Sequence, residues 1–278
     1  MKKLLSPKEI KSFELQLFLD TLCEVYGIDF KNNAKTSLIR RLESLVQKQN
    51  RENLSELIPL LLHTKNFNEL VIEHVTIQHS NLFRDPLFFK KLKKFVFPIL
   101  KVLPKITIWI AGCANGEEVY TLLILLKEAK LLDKTHIYAT DISKTALSNA
   151  KSGVLKKGIK KEDIDNYNNA GGKYSLSNYF VVAYSKFKLK EELLSHVTFM
   201  EHNLAQDKEF ASMQLILCRN VMIYFNYELQ EKVLKLLNTS LMTNGYLGIG
   251  IDETLEFIQA AKGYKILNKD VSIYRKEF

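Results

Sequence analysis

The stretch Ile106–Tyr120, "ITIWIAGCANGEEVY", decides the fold. Six residues of a buried strand run into a glycine turn, and the turn runs into a helix. A strand, a tight loop and a helix N-terminus together usually hold a phosphate. This loop lacks the Lys-Ser/Thr of a P-loop and instead places Glu117 and Glu118 in the first helical turn. Downstream, "HIYATDIS", "VTFMEHNL", "MQLILCRN" and "YLGIGI" are short apolar runs suited to strands buried on both faces. Helical stretches such as "EEVYTLLILLKEA", "KTALSNAK" and "YELQEKVLKLLNTSL" separate most of them. Strand and helix in alternation predict an α/β fold, a doubly wound Rossmann-like parallel sheet. The tail "YKILNKDVSIYRKEF" adds two strands as an antiparallel pair.

Upstream the period is helical. Ser6-Pro7-Lys8-Glu9 has the form of a capping box with Pro at the first helical position, and Gly27 is the matching stop. Leu38, Leu42, Leu45 and Val46 repeat at helical spacing, with Lys35, Arg40, Arg41 and Lys48 on the polar side. Asp85-Pro86 starts a further helix. The expected organisation is an all-α domain over 1–85 and a catalytic domain over 86–278. Between Gly153 and His196 the spacing is too long for an ordinary loop, and the strand-like "NYFVVAYSKFKL" follows a turn-rich stretch. This predicts a small β insertion at about 160–195.

With 278 residues, 46% hydrophobic and 26% charged, the chain is globular and can bury a sizeable core. No apolar run approaches the ~20 residues that cross a bilayer, and the start is not a signal peptide, which argues against membrane insertion. Cys23, Cys113 and Cys218 stand alone, without metal or disulfide spacing, so a cytoplasmic location and no metal are expected. The formal charge of +9 favours an acidic partner: nucleic acid, anionic lipid or an acidic protein surface.

In an open parallel sheet, ligands bind beyond the carboxyl ends of the strands. Polar residues gather there: Gly112 to Glu118, then Asp141, Asn203 and Cys218-Arg219-Asn220. A bare phosphate would be repelled by Glu117 and Glu118, whereas a zwitterion fits. Its carboxylate takes the helix N-terminal N–H groups and its ammonium pairs with a glutamate. The methionine end of S-adenosylmethionine (SAM) is such a group. Asp141, about twenty-five residues beyond the turn, stands where an acid accepts both ribose hydroxyls. The plainer alternative is that the glutamates complement the helix dipole and Asp141 caps the next helix.

"SNLFRDPLFF", "IWIAGCANGEEVYTL", "IYATDIS" with "ALSNAKSGV", "HNL", "CRNVMIYF" and "NGYLGIG" run in order along the chain. In order and spacing they resemble the chemotaxis receptor methyltransferases, the CheR family, over nearly the whole length. The resemblance implies transfer of methyl from SAM to glutamate side chains of chemoreceptors, leaving S-adenosylhomocysteine. It implies that Arg84 faces the SAM pocket together with Gln78 and Ser80, where the family usually has Asn and Thr. By the same resemblance Glu118 holds the methionine amino group, Asp141 the ribose, and Asn203 with Leu204 the adenine. Arg219 and Asn220 line the pocket floor, and Tyr224 points at the methyl. Asn115 and Val119 depart from the family's usual Thr and Pro.

A free glutamate is already ionised near neutral pH, so transfer to it needs no general base. Arg84 and Tyr224 are then the candidates for positioning the carboxylate. The expected partners are the cytoplasmic domains of chemoreceptors, with the basic second helix as electrostatic guide and the β insertion as an edge for a receptor tail. Two other functions stay open: a nucleic-acid methyltransferase, and a non-catalytic SAM-binding scaffold. Against the first, the fourth strand ends in "CRNV" instead of an Asn/Asp-Pro-Pro-aromatic motif.

Overall fold

The computed structural model describes residues 5–76, 80–183, 186–268 and 270–278. The chain forms two compact units, Met1–Ile77 with Tyr224–Leu229, and Gln78–Ile223 with Gln230–Phe278. The second unit starts ahead of the expected residue 86. Leu82 and Phe83 cause the difference, since both are buried in its core beside Phe88 and Val119.

The first unit holds α1 (Pro7–Tyr26), α2 (Lys35–Lys48), α3 (Leu57–His63) and α4 (Phe67–Val75). Ser6 and Glu9 close the capping box that starts α1, and Gly27 ends it at φ 66°, a conformation that costs glycine little. Leu22, Leu42, Leu45, Leu57 and Leu61 are at most 1% exposed and form this unit's core. Each contributes on the order of 2 kcal/mol by burial. The polar face of α2 leaves Lys35, Arg40 and Lys48 exposed, with Arg41 half-buried. The distant segment 224–229 is stitched on through backbone: Ala34 N–H donates to the Tyr224 carbonyl at 2.7 Å and Asn226 N–H to that of Asn32 at 2.7 Å.

The second unit opens with α5 (Pro86–Phe95) and α6 (Phe97–Lys101), followed by β1 (Ile106–Ala111), α7 (Glu117–Glu128), β2 (Thr135–Asp141) and α8 (Lys144–Ser152). An inserted region carries β3 (Val154–Leu155), α9 (Lys161–Asn169), β4 (Phe180–Ala183), β5 (Lys186–Leu189) and α10 (Glu191–Leu194). Then come β6 (Val197–Glu201), β7 (Met213–Cys218), α11 (Tyr227–Ser240), β8 (Leu241–Ile249), β9 (Tyr264–Asn268) and β10 (Ile273–Lys276). Helix α11 begins in residues counted with the first unit and ends in the second.

The main sheet has the order β6-β2-β1-β7-β8-β10-β9. From β6 to β8 all neighbours are parallel, while β10 runs antiparallel to β8 and to β9. This is the doubly wound sheet with an antiparallel final pair. The order reverses between β1 and β7, so the crevice lies at their carboxyl ends. Val119 through Leu126 of α7 are fully buried on every face of the helix, which anchors the loop before it.

Strands β3-β5-β4 form a separate antiparallel sheet. It begins at Val154, a few residues before the expected start, because a two-residue strand leaves no period to read. The inserted region is tied to the C-terminal end of α7. Glu128 Oε1 there accepts the Tyr167 hydroxyl at 2.5 Å and the Tyr179 hydroxyl at 2.8 Å.

Candidate cofactor and active site

The glycine turn after β1 is shaped by its backbone. Gly112 has φ 77° and Gly116 has φ 97°, and an added Cβ at Gly112 would sit 2.5 Å from Val221 Cγ2. Only glycine allows that approach. Gly112 and Cys113 N–H both donate to the Thr140 carbonyl at 2.8 Å, binding the ends of β1 and β2 together. No side chain caps the N-terminus of α7, which starts directly from Gly116. Its first-turn N–H groups and dipole therefore face the crevice.

Asp141 closes the same corner. Its Oδ2 accepts Ala114 N–H and its Oδ1 accepts Ser143 N–H, each at 2.9 Å. Burial raises its proton affinity, and these backbone donors oppose the rise. A carboxylate has about four acceptor sites, so two remain for a vicinal diol. The helix-capping role belongs to Ser143, whose Oγ accepts Ala146 N–H at the start of α8.

Glu118 and Arg219 form the centre of the site. Arg219 Nη1 donates to Glu118 Oε2 at 2.6 Å, and Nη2 to Asp85 Oδ2 at 2.8 Å. Nη2 also reaches the Arg84 carbonyl at 3.3 Å. The guanidinium lies 4.2 Å from the Phe88 ring centroid, a cation–π contact. The Arg219 side chain is 1% exposed, so its influence on a ligand passes through Glu118. Burial raises Glu118 first, Arg219 pulls it back, and Glu253 and Asp85 push it up again. Among the described residues Glu118 Oε1 accepts no hydrogen bond, which leaves one oxygen for an ammonium group.

Asn220 stands at φ 59°, and its Nδ2 is buried without a partner among the described residues. A buried donor in that state can take an acceptor from a ligand or a water. Asn203 is engaged in its own turn: Oδ1 accepts Ala205 N–H at 3.0 Å and Nδ2 donates to Gln206 Oε1 at 2.7 Å. Leu204 beside it is buried and apolar, suited to a base edge or face. Ser80 and Arg84 line a cleft of about 490 Å³ with Asn81, Asp85, Glu162 and Asn166. The Arg84 side chain is 40% exposed, and its nearest carboxylate, Asp85, is 4.0 Å away. Phe83 and Asp85 both have positive φ, at 54° and 58°, so the segment holding Arg84 is strained. Gln78 lies outside the described residues.

Tyr224 belongs to the first unit, where its backbone is fixed by Ala34. Arg41 of α2 is half-buried within electrostatic reach of it. Burial lowers the Arg41 proton affinity, and the Tyr224 phenol opposes that. One residue escaped the sequence reading. Glu253 accepts four backbone N–H groups beneath Asn220 and Val221. Glu117 is a buried acid whose Oε2 has no partner among the described residues. The signal for Glu253 was an acid beyond the carboxyl end of a fifth strand, β8.

Burial pushes the Glu117 carboxyl from 4.5 up to about 7. A raised carboxyl costs stability once the unfolded chain ionises. The cost is absent below pH 4.5, grows up to about pH 7 and is full above it. Glu117→Gln, neutral at every pH, should therefore gain on the ligand-free wild type by about 2 kcal/mol more at pH 8 than at pH 5. Urea titrations at the two pH values read this directly. An equal gain at both would contradict the assignment.

Together, an open glutamate oxygen, an aspartate with acceptor capacity to spare, an uncapped helix N-terminus and a buried amide are compatible with a nucleoside that has a zwitterionic tail. Such a set, at the reversal point of a doubly wound sheet, is compatible with a SAM-dependent methyltransferase. The comparisons agree: residues 78–272 match the family described as "CheR methyltransferase, SAM binding domain" and residues 14–76 match "CheR methyltransferase, all-alpha domain". The chain belongs to the CheR methyltransferase family. It is 37% identical to "Putative methyltransferase Cher3" of Pseudomonas putida, over 95% of this chain and 96% of that one. It is 31% identical to "Chemotaxis protein methyltransferase" of Borreliella burgdorferi, over 87% of this chain and 88% of that one. A "Chemotaxis protein methyltransferase 1" of Pseudomonas aeruginosa is 28% identical over 87% of this chain and 90% of that one.

Proposed function

We propose that the protein methylates glutamate side chains in the cytoplasmic domains of chemoreceptors, giving methyl esters and S-adenosylhomocysteine, as part of chemotactic adaptation. Family membership, with relatives named as chemotaxis methyltransferases, supports the setting. The observation that carries the acceptor is the cleft beside Arg84. Arg84 in this cleft offers a cation that is 40% exposed and held only loosely by Asp85, 4.0 Å away. That suits an acceptor already ionised near neutral pH. A cytoplasmic location follows from that acceptor, and no described helix is long and apolar enough to cross a membrane. Among the described residues no cluster of His, Cys, Asp and Glu has the make-up of a metal site.

SAM supplies an electrophilic methyl group on a sulfonium. Glu118 holds the ammonium, the α7 N-terminus the carboxylate, Asp141 the ribose, and Leu204 with the Asn203 turn the adenine. Ser80 and Asn220 complete the pocket, and Gly112 lets it come close to the backbone. Arg84 and the Tyr224 hydroxyl orient the acceptor carboxylate through charge-assisted bonds. Alignment and exclusion of water are worth several kcal/mol in such a displacement.

Lys35, Arg40 and Lys48, exposed on α2, guide the enzyme to acidic receptor helices. With labelled SAM and receptor-bearing membranes, label should enter a membrane protein. The rate should fall as salt rises, since steering is screened beyond about 8–10 Å. Replacing Lys35, Arg40 and Lys48 by Ala should lower the low-salt rate several-fold and flatten the salt dependence, with SAM affinity unchanged. Arg41 is left out because of its proximity to Tyr224. Label entering added RNA or DNA instead would overturn the proposal.

A further inference from the structure

We propose that Glu253 is a positioning residue for the transfer site: it fixes the backbone of 220–223 and, through it, the pocket wall formed by Asn220 and Val221. The inference rests on the SAM site described above and extends it to a residue outside the motifs.

Glu253 lies in the turn after β8 and is 7% exposed. Its Oε1 accepts Val221 N–H at 3.0 Å and Ile223 N–H at 3.2 Å. Its Oε2 accepts Asn220 N–H at 2.9 Å and Gly250 N–H at 2.5 Å. Four donors fill the acceptor capacity of a carboxylate, so Glu253 has nothing left to offer a ligand. It acts on the site only through the segment it holds.

That segment leaves β7 without entering another strand, so the N–H groups of 220, 221 and 223 have no sheet partner, and Glu253 supplies their acceptor. What it carries is the site. Arg219, one residue ahead, latches Glu118. Asn220 presents the unpartnered amide. Val221 packs where a Cβ on Gly112 would be. Tyr224 follows Ile223 directly in the chain. A shift of this backbone moves Asn220 and closes or opens the Gly112 approach, and misplacements of about 1 Å cost on the order of a hundredfold in rate.

Gly250 completes the clamp. An added Cβ there would lie 2.6 Å from Asn220 Nδ2 and 2.8 Å from Glu253 Oε2, so the turn must pass with no side chain. Two substitutions therefore attack the clamp from opposite sides. Glu253→Gln removes half the acceptor capacity and aims an NH₂ group at N–H donors. Gly250→Ala keeps the charge and displaces the same contacts.

The experiment measures SAM affinity by calorimetry, kcat and KM for SAM, and thermal unfolding, in both variants and the wild type. Both variants should melt at lower temperature but cooperatively. Well below their melting points, each should bind SAM at least about tenfold more weakly, about 1.4 kcal/mol, with kcat reduced and KM raised. If Glu253→Gln does not fold, Gly250→Ala decides. Folded variants with SAM affinity and kcat within about twofold of wild type, whatever their melting points, would make Glu253 a stability residue only and overturn the proposal. SAM affinity is read without an acceptor, so an error in the acceptor class leaves this result intact.

Discussion

Arg219→Ala should abolish measurable SAM binding and lower the melting temperature by roughly 10 °C. The side chain is 1% exposed and answers two carboxylates at once, Glu118 at 2.6 Å and Asp85 at 2.8 Å. Removing one member of a buried ion pair costs about 3–5 kcal/mol, because the partner is left desolvated and unpaired. Here two partners are left. Glu118, already raised by burial, loses the cation that keeps it ionised and so loses its hold on an ammonium group. Asp85 sits at φ 58° beside Arg84, so the cleft loosens as well. Arg219→Lys should recover part of the stability and little of the binding, since an ammonium cannot span both acids as the planar fork does. Calorimetry and thermal unfolding check both variants. Wild-type affinity in Arg219→Ala would contradict the assigned geometry.

The second large effect is on chemistry alone. Tyr224→Phe should lower single-turnover methyl transfer by about a hundredfold, the usual cost of one positioned donor, while SAM affinity holds. The backbone at Tyr224 is fixed by Ala34 N–H and the Asn33–Phe225 bridge, so the ring keeps its place when the hydroxyl is removed. An unchanged transfer rate would return Tyr224 to the role of a packing aromatic.

The doubly wound sheet was legible because its strands are buried on both faces and read as unbroken apolar runs. The glycine turn was legible because φ values near 77° and 97° leave glycine as the natural residue at Gly112 and Gly116. Asp141 and Glu118 were legible by position, at the end of a strand and the start of a helix. Arg219 was not, beyond its motif. Its partners lie 101 and 134 residues away in sequence, and only the folded chain shows it as a latch instead of a pocket floor. Asn203 stands at the adenine by the resemblance, and only the folded chain shows that its side chain also braces its own turn through Ala205 and Gln206. Glu253 was missed because it binds backbone, and backbone donors leave no mark on residue identity.

The domain edge illustrates the same limit. Asp85-Pro86 is a helix start by local rules, yet Leu82 and Phe83 already belong to the second core. Phe83 N–H donates to Thr121 Oγ1 on α7 at 2.9 Å. Tertiary packing places the division, and capping residues do not.

The central claim, that the acceptor is a carboxylate, is tested most directly by the lability of the product. Receptor-bearing membranes are incubated with the protein and methyl-labelled SAM, and the labelled protein is then treated with mild alkali. A glutamate methyl ester is hydrolysed and releases its label as volatile methanol, whereas N-methyl groups on lysine, arginine or a nucleobase stay in place. Release of nearly all the label is the predicted result; label that survives alkali would contradict the account.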